Sequence, residues 1–323
     1  MKKYAIGFDL GGTNMVAAVL SIDGKIMRRK KVPTLAAEDK TKVWARMAGV
    51  INDLIRESGV DRGEFLGVGL GSPGLVDRKN GVVFTSPNLP DWENIPLANI
   101  IAQEVSLPVY VDNDVNVITL GELFFGAGKG RKNFIYLTLG TGIGGSIVTD
   151  GAILRGENGF AGEVGHMTVD PDGPLCGCGN YGCLEALSSA TAIVRRFTEG
   201  LVKGGQSKIL EIIHGDLSRI DTRLICQVAE QGDLLARKTL EEAGIYLGVA
   251  IANLVNLLNP EAIIIGGGVS LAGEHIFAPL RRTGSIRAYR QSWQNMELLY
   301  SKMVDDAGLY GGLALVLENV NRN

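Results

Sequence analysis

The chain has 323 residues, a length that suits two domains better than one. Hydrophobic residues make up 46% and charged residues 21%, which excludes a disordered chain. A net charge of −3 supplies no long-range attraction to nucleic acid or anionic lipid, so neither partner is expected.

The 44 glycines are roughly double ordinary usage, and there is no collagen-type period. They should mark tight turns and places where backbone closely approaches a ligand. After Lys2 and Lys3 the apolar run reaches only Phe8 before Asp9, too short for a signal segment. Residues 243–260 carry no charge, as a membrane span would. Asn253, Asn256 and Asn259 interrupt them every third residue, so a buried helix with one wet face is expected. Four cysteines in a chain of this length make no disulfide framework, which points to a reducing, cytoplasmic compartment.

In chain order, Tyr4 to Leu10 reads as a strand, Gly11-Gly12-Thr13 as a turn and Met15 to Ile22 as a second strand. Asp23-Gly24 predicts a hairpin turn of the primed type, with Lys25 to Val32 returning. The basic run Arg28 to Lys31 then falls on a solvated sheet edge. Val43, Trp44, Met47, Val50, Ile51, Leu54 and Ile55 keep helical spacing, with Gly59 just past the end. Phe65 to Leu70 is a strand running into Gly71-Ser72-Pro73-Gly74. Val109 to Val111 is another, leading through Asp112-Asn113-Asp114 into a helix over 115–125.

The order then recurs. Phe134 to Leu139 is a strand, residues 140–145 turn, Ser146 to Thr149 is a strand, and Asp150-Gly151 turns a hairpin. After an insertion come helices over 188–259, the strand Ala262 to Ile265, Gly266-Gly267-Gly268, a strand near Leu298 and a closing helix over 312–317. Two halves that repeat strand, glycine turn, strand, hairpin, helix and strand imply a structural duplication.

The glycine turns admit backbone N–H groups to an anion. No G-x-x-x-x-G-K-[ST] occurs, which excludes a Walker A loop. The first two turns lead into strands rather than helices, which excludes a dinucleotide fingerprint.

Asp9-Leu10-Gly11-Gly12-Thr13 and Leu139-Gly140-Thr141-Gly142 resemble the two phosphate loops of the sugar kinase, Hsp70 and actin ATPase fold. Gly162-Glu163-Val164-Gly165-His166 and the run Cys176-Gly177-Cys178 through Cys183-Leu184-Glu185 are similar to the signatures of the ROK family of repressors and kinases. The resemblance covers Lys3 to Val316 and is strongest toward the glucose-phosphorylating bacterial members. It implies an α/β fold of two RNase H-like domains with an active-site cleft between them. The expected division is residues 1–112 plus 307–323 for the small domain and 113–306 for the large one, with a metal-binding insertion.

His166, Cys176, Cys178 and Cys183 lie within 18 residues, and three thiolates with one imidazole match a closed, structural zinc site. Such a metal would tie the Glu163 segment to the Glu185 segment. Cys226, in an apolar helix, reads as an ordinary buried thiol.

Transfer of a phosphoryl group to a hydroxyl needs a carboxylate that accepts the proton. Spacing alone leaves Asp112, Asp114 and a plain helix cap open. The resemblance implies Asp114 as base, with Asn113 on a neighbouring sugar hydroxyl. It further implies sugar contacts from Glu163, His166 and Glu185, and from Gly71 and Asn88. Nucleotide contacts are implied for Asp9, Gly11, Gly12, Thr13, Asn14, Thr141, Gly142, Gly266, Gly267 and Gly268, with Asp9 holding Mg²⁺ through water.

The implied reaction is ATP-dependent phosphorylation of glucose at its 6-hydroxyl. Kinases for N-acetylmannosamine, fructose or allose share the motifs, and polyphosphate is an alternative donor. The family also holds sugar-sensing repressors, whose winged helix would precede the first strand; here that strand begins by Tyr4. A homodimer or a dimer of dimers is expected from relatives.

Overall fold

The computed structural model describes residues 2–303 and 306–320, so residues 321–323 of the expected small domain lie outside it. The chain begins β1 (Tyr4–Leu10), β2 (Asn14–Ser21), β3 (Ile26–Pro33), α1 (Lys40–Ser58) and β4 (Phe65–Ser72). Three short strands follow, β5 (Leu75–Asp77), β6 (Val82–Thr85) and β7 (Glu93–Ile95), then α2 (Leu97–Val105), β8 (Val109–Asn113) and α3 (Asp114–Phe125). The second run opens with β9 (Phe134–Leu139), β10 (Ile143–Thr149) and β11 (Ala152–Ile153). Helices α4 (Leu184–Ser188), α5 (Ala190–Val202), α6 (Ile209–Ile212), α7 (Thr222–Glu230) and α8 (Leu234–Leu258) precede β12 (Ala262–Gly266). The described chain ends with α9 (Glu274–Arg287), α10 (Arg290–Asn295), β13 (Glu297–Tyr300) and α11 (Ala307–Val320).

Two five-stranded sheets have the same connection order. One runs β3-β2-β1-β4-β8 and the other β11-β10-β9-β12-β13. In the first, β1 to β3 are antiparallel neighbours while β4 and β8 join β1 in parallel. The duplication expected from the sequence is therefore present in the strand order itself.

Contacts divide the chain into two compact units. Unit 1 holds residues 1–132, 148–161 and 301–323, and unit 2 holds 133–147 and 162–300. Residues 113–132 cluster with unit 1 rather than with the second half, because α3 packs on α11. There a Cβ at Gly311 would lie 1.9 Å from the Val117 carbonyl oxygen.

In unit 1, alternation along β1 sends Ile6, Phe8 and Leu10 to a core shared with α1 and α2. Ala5 faces the other way, toward Leu309, Leu313 and Val316 of α11. The α1 helix is the one the spacing predicts: Asp39 caps Thr41 N–H at 2.8 Å and Gly59 ends it at φ 70°. On the opposite face α11 meets bare backbone. A Cβ at Gly7 would lie 2.0 Å from the Leu309 carbonyl oxygen, and one at Gly69 only 1.9 Å from that of Gly312. In unit 2 the core surrounds α8, whose Ala243, Leu247, Ala250, Ile251 and Leu254 are buried while Asn253 and Asn256 are exposed. That helix is long and apolar enough to cross a membrane, yet its apolar side is spent on this core.

Differences from the sequence reading are local. Asp150 and Gly151 both have positive φ, 51° and 79°, which is the primed two-residue turn. At Asp23-Gly24 only Gly24 does, at 90°. Gly24 N–H bonds the Ser21 carbonyl, and the turn is the longer unprimed kind with a bulge. The second glycine turn is shorter than expected, since β10 begins at Ile143, and α11 is longer, beginning at Ala307. The sheet β5-β6-β7 and α2 were not foreseen.

Gly69→Ala should destabilise the protein by about 3 kcal/mol or more, because two main chains must separate. Gly49→Ala, in α1 with nothing within 4 Å of the added carbon, should stabilise it by about 0.5–1 kcal/mol. Denaturant unfolding of the two variants against the parent checks the pair.

Candidate active site and metal centre

The site residues of unit 1 stand at the carboxyl ends of its parallel strands, where open α/β sheets bind ligands. Register places Asp9 beside Gly71 and Gly71 beside Asp112, with Ser72 beside Asn113 one residue on. A Cβ at Gly71 would lie 3.3 Å from Val117 Cβ and 3.4 Å from Asp114 Cα, so the strand end packs closely on the head of α3.

Asp112, Asn113 and Asp114 have different surroundings. Asn113 is the cap of α3, its Oδ1 accepting from Val115 N–H at 2.9 Å and from Asn116 N–H at 3.2 Å. Its amide donates to the Gly74 carbonyl at 3.1 Å. Asp112 is buried and fully engaged. One oxygen accepts from Asn113 N–H at 2.8 Å, and the other takes Arg155 at 2.9 Å and Arg78 at 3.5 Å. Arg78 also pairs with Glu318 at 2.5 Å, which closes a network of two guanidinium groups and two carboxylates. Asp114 is half-buried in the first turn of α3 and accepts from Val115 N–H at 2.9 Å.

The first glycine turn is pinned from outside. Gly11 N–H reaches the Asn14 carbonyl at 3.0 Å, and the Thr34 hydroxyl donates to the Gly11 carbonyl at 2.6 Å. Gly12 meets Asn88, whose Cβ would stand 3.0 Å from a Cβ at Gly12. The loop that carries Asn88 is anchored by Trp92, 4% exposed, edge-on to Trp44 of α1 with ring centroids 6.3 Å apart. Thr13 is exposed and Asn14 opens β2. Asp9 packs its carboxylate against Gly308 at the start of α11, and burial pushes its pKa up to about 6.

In unit 2 the second glycine turn is tied to α5. Ala190 N–H donates to the Gly140 carbonyl at 2.9 Å, and the Thr191 hydroxyl to that of Thr141 at 2.9 Å. Gly267, at φ 87°, lies against this turn; a Cβ there would sit 2.4 Å from the Leu139 carbonyl oxygen. Gly266 ends β12, and Gly268 faces open space. The two predicted nucleotide segments of unit 2 thus meet at the ends of β9 and β12.

Glu185 joins this turn to the cysteine cluster. Its Oε2 accepts from Ile143 N–H at 2.8 Å and would lie 2.3 Å from a Cβ at Gly142, while Oε1 is 3.9 Å from Cys176 Sγ. Exposed Glu163 precedes the short turn Val164–His166, which lies directly on β10; a Cβ at Gly165 would be 1.9 Å from the Ile143 carbonyl oxygen.

His166, Cys176, Cys178 and Cys183 bring their ligand atoms within 4.8 Å of one another. Cys178 and Cys183 are 3.7 Å apart at sulfur, and Cys176 Sγ is 3.7 Å from His166 Nδ1. Bonds of about 2.3 Å to sulfur and 2.0 Å to nitrogen in a tetrahedron require separations of about 3.6–3.8 Å, so the set fits a zinc-sized cation. Burial pushes the Cys183 thiol up to about 12 and raises Cys176, whereas the Asn180 N–H holds Cys178 down. A divalent cation would reverse the burial penalty by taking the thiolates directly. Because Nδ1 is the nitrogen turned to the ring of thiols, Nε2 is left for another partner.

Sequence reasoning missed the Asp112 network, the Thr34 brace and the Trp92 anchor. Of these only Trp92, a lone large aromatic in a proline-rich stretch, carried a readable signal.

The duplicated sheets, each with a glycine turn after its first strand, are those of the two-domain hexokinase-type ATPase fold. The ROK family model matches residues 5–319, and the chain belongs to that family. It is 41% identical over 319 residues to the glucokinase of Thermotoga maritima, covering 99% of each chain. It is 33% identical to a xylose repressor of Caldicellulosiruptor bescii, covering 98% of this chain and 78% of the relative. A ROK family glucokinase from Streptomyces griseus, solved with glucose and AMPPNP, superposes with a TM-score of 0.83 at 34% identity, over 98% of this chain and 99% of that one.

The raised pKa of Asp9 sets the sign of a pH effect. Its charged form is disfavoured in the fold, so the penalty is absent below the ordinary value of 3.8 and complete above about 6. In the ligand-free protein, Asp9→Asn should therefore raise the melting temperature by several degrees at pH 8 and leave it unchanged near pH 3.5. Thermal unfolding at the two pH values checks this.

Proposed function

We propose that the chain is an ATP-dependent glucokinase that phosphorylates the 6-hydroxyl of glucose. The observation that carries the reading is the division of labour at the head of α3. Asn113 caps the helix and Asp112 is paired with two arginines, and Asp114, half-buried in the first turn of α3, is assigned as the base. Full-length likeness to glucokinases supports the choice of sugar.

In this mechanism Asp114 accepts the proton of the 6-hydroxyl as its oxygen attacks the γ-phosphorus of ATP. The bond from that phosphorus to the β,γ-bridging oxygen breaks, releasing ADP and glucose 6-phosphate. Asn113, Glu163, Glu185 and Nε2 of His166 take the remaining hydroxyls, with Gly71 and Asn88 shaping the wall. The backbone of Gly11, Gly12, Thr13, Asn14, Thr141 and Gly142 cradles the phosphates, and Gly266 to Gly268 border the adenosine. Asp9 would hold Mg²⁺ through water, and the metal would neutralise phosphate charge. Zinc in the cysteine-histidine ring would be structural, fixing Glu185 and His166. The enzyme is cytoplasmic in this reading and works as a dimer or a dimer of dimers.

A second reading, a sugar-responsive repressor, is favoured by the likeness to the xylose repressor. A coupled ADP-release assay over glucose, fructose, allose and N-acetylmannosamine, with ATP and polyphosphate as donors, decides between them. Glucose with ATP should give the highest kcat/KM. Sugar binding with no turnover on any of them would favour the repressor instead.

Two further outcomes follow from the assigned roles. Asp114→Asn should lower kcat by about a thousandfold or more while glucose still binds by calorimetry. Activity within about tenfold of the parent would remove Asp114 as base. Metal analysis of the purified protein should give one zinc per chain, and Cys183→Ser should lose it and raise the KM for glucose.

A further inference from the structure

Glu185 sits on α4, a helix of five residues between a proposed metal ligand and α5, too short to hold itself. What fixes it lies behind it. Arg195 donates to the Ala186 carbonyl at 2.6 Å and Arg196 to the Leu187 carbonyl at 2.7 Å, so two guanidinium groups take up the last carbonyls of α4.

Arg196 does more than cap. Its Nε pairs with Glu242 of α8 at 3.2 Å, and its guanidinium carbon stands 5.8 Å from the ring centroid of Tyr246, also on α8. The Tyr246 hydroxyl donates to Asp170 Oδ2 at 3.3 Å. Asp170 is part of the metal loop: its N–H reaches the Gly182 carbonyl at 3.3 Å, and a Cβ at Gly182 would fall 1.5 Å from the Asp170 carbonyl oxygen. One relay therefore runs from the end of α4 through Arg196 and Tyr246 to the loop that brings Cys176, Cys178 and Cys183 together. The guanidinium is largely withdrawn from water, and its Nη1 has no hydrogen-bond partner among the described residues. A cation kept there at such a desolvation cost calls for a role beyond packing.

We infer that Arg196 and Tyr246 are positioning residues, which lock α4 and the metal loop to the core helix α8 and so set Glu185 for sugar recognition. The inference deepens the glucokinase reading and rests on it for the sugar. Its claim on the metal loop stands separately.

The test uses the full-length, metal-loaded protein. Arg196→Lys keeps the charge but cannot span the Leu187 carbonyl and Glu242 together. Tyr246→Phe keeps the ring under the guanidinium and removes only the bond to Asp170. Each should raise the KM for glucose about tenfold, with kcat and the KM for ATP within about twofold of the parent. Each should also speed the loss of zinc to a chromogenic chelator by about fivefold or more.

Unchanged glucose KM and unchanged zinc release in both variants would overturn the inference. So would a uniform fall in kcat, ATP affinity and melting temperature with zinc release unaltered, which marks plain packing. A parent protein that binds no zinc would overturn the metal part. If the parent phosphorylates no hexose, the glucokinase reading fails, and the zinc-release comparison still decides whether the relay holds the loop.

Discussion

Main chain meeting main chain is the constraint on which this protein is built. In unit 1, α11 lies on β1 and β4 at Gly7 and Gly69, closer than any side chain would allow. In unit 2, Gly267 lies on the second glycine turn, Gly165 on β10 and Gly182 on Asp170. A methyl group at any of these places would displace an element that carries a site residue. Part of the glycine excess records this packing, while other glycines, Gly268 among them, have open space around them.

The two halves use one plan for different ends. Each sheet has the same strand order and each offers a glycine turn after its first strand. Unit 1 adds acidic residues at its strand ends and a pair of arginines that bind one of them, Asp112. Unit 2 adds the long insertion, in which a ring of thiols and an imidazole replaces a hydrophobic core too small to form. Cys176, Cys183 and Ala186 form a small buried cluster of their own there.

Much of this was legible in the sequence because its signals are local. Gly11 to Thr13, Gly140 to Gly142 and the cysteine spacing are short and chemically specific, and the α1 helix announces itself by period and caps. The strands β5, β6 and β7 are three or four residues long and show no alternation that could mark them. Nothing in the one-dimensional string ties Arg78 and Arg155 to Asp112. At Asp23-Gly24 the dipeptide suited two turn types, and the positive φ of Gly24 alone decided between them. Residues 113–132 grouped with unit 1 through glycine contacts with α11, a pairing that sequence distance conceals.

Trp44 and Trp92 have a consequence of their own. Two of the chain's three tryptophans meet edge to face directly under the segment that bears Asn88, whereas the third, Trp293, lies in unit 2 against Gly284. Paired indoles exchange excitation, and their emission colour and intensity depend on ring distance and tilt. Any rearrangement of that segment is therefore written into the ultraviolet fluorescence of the unlabelled chain, giving it an optical gauge of its own wall.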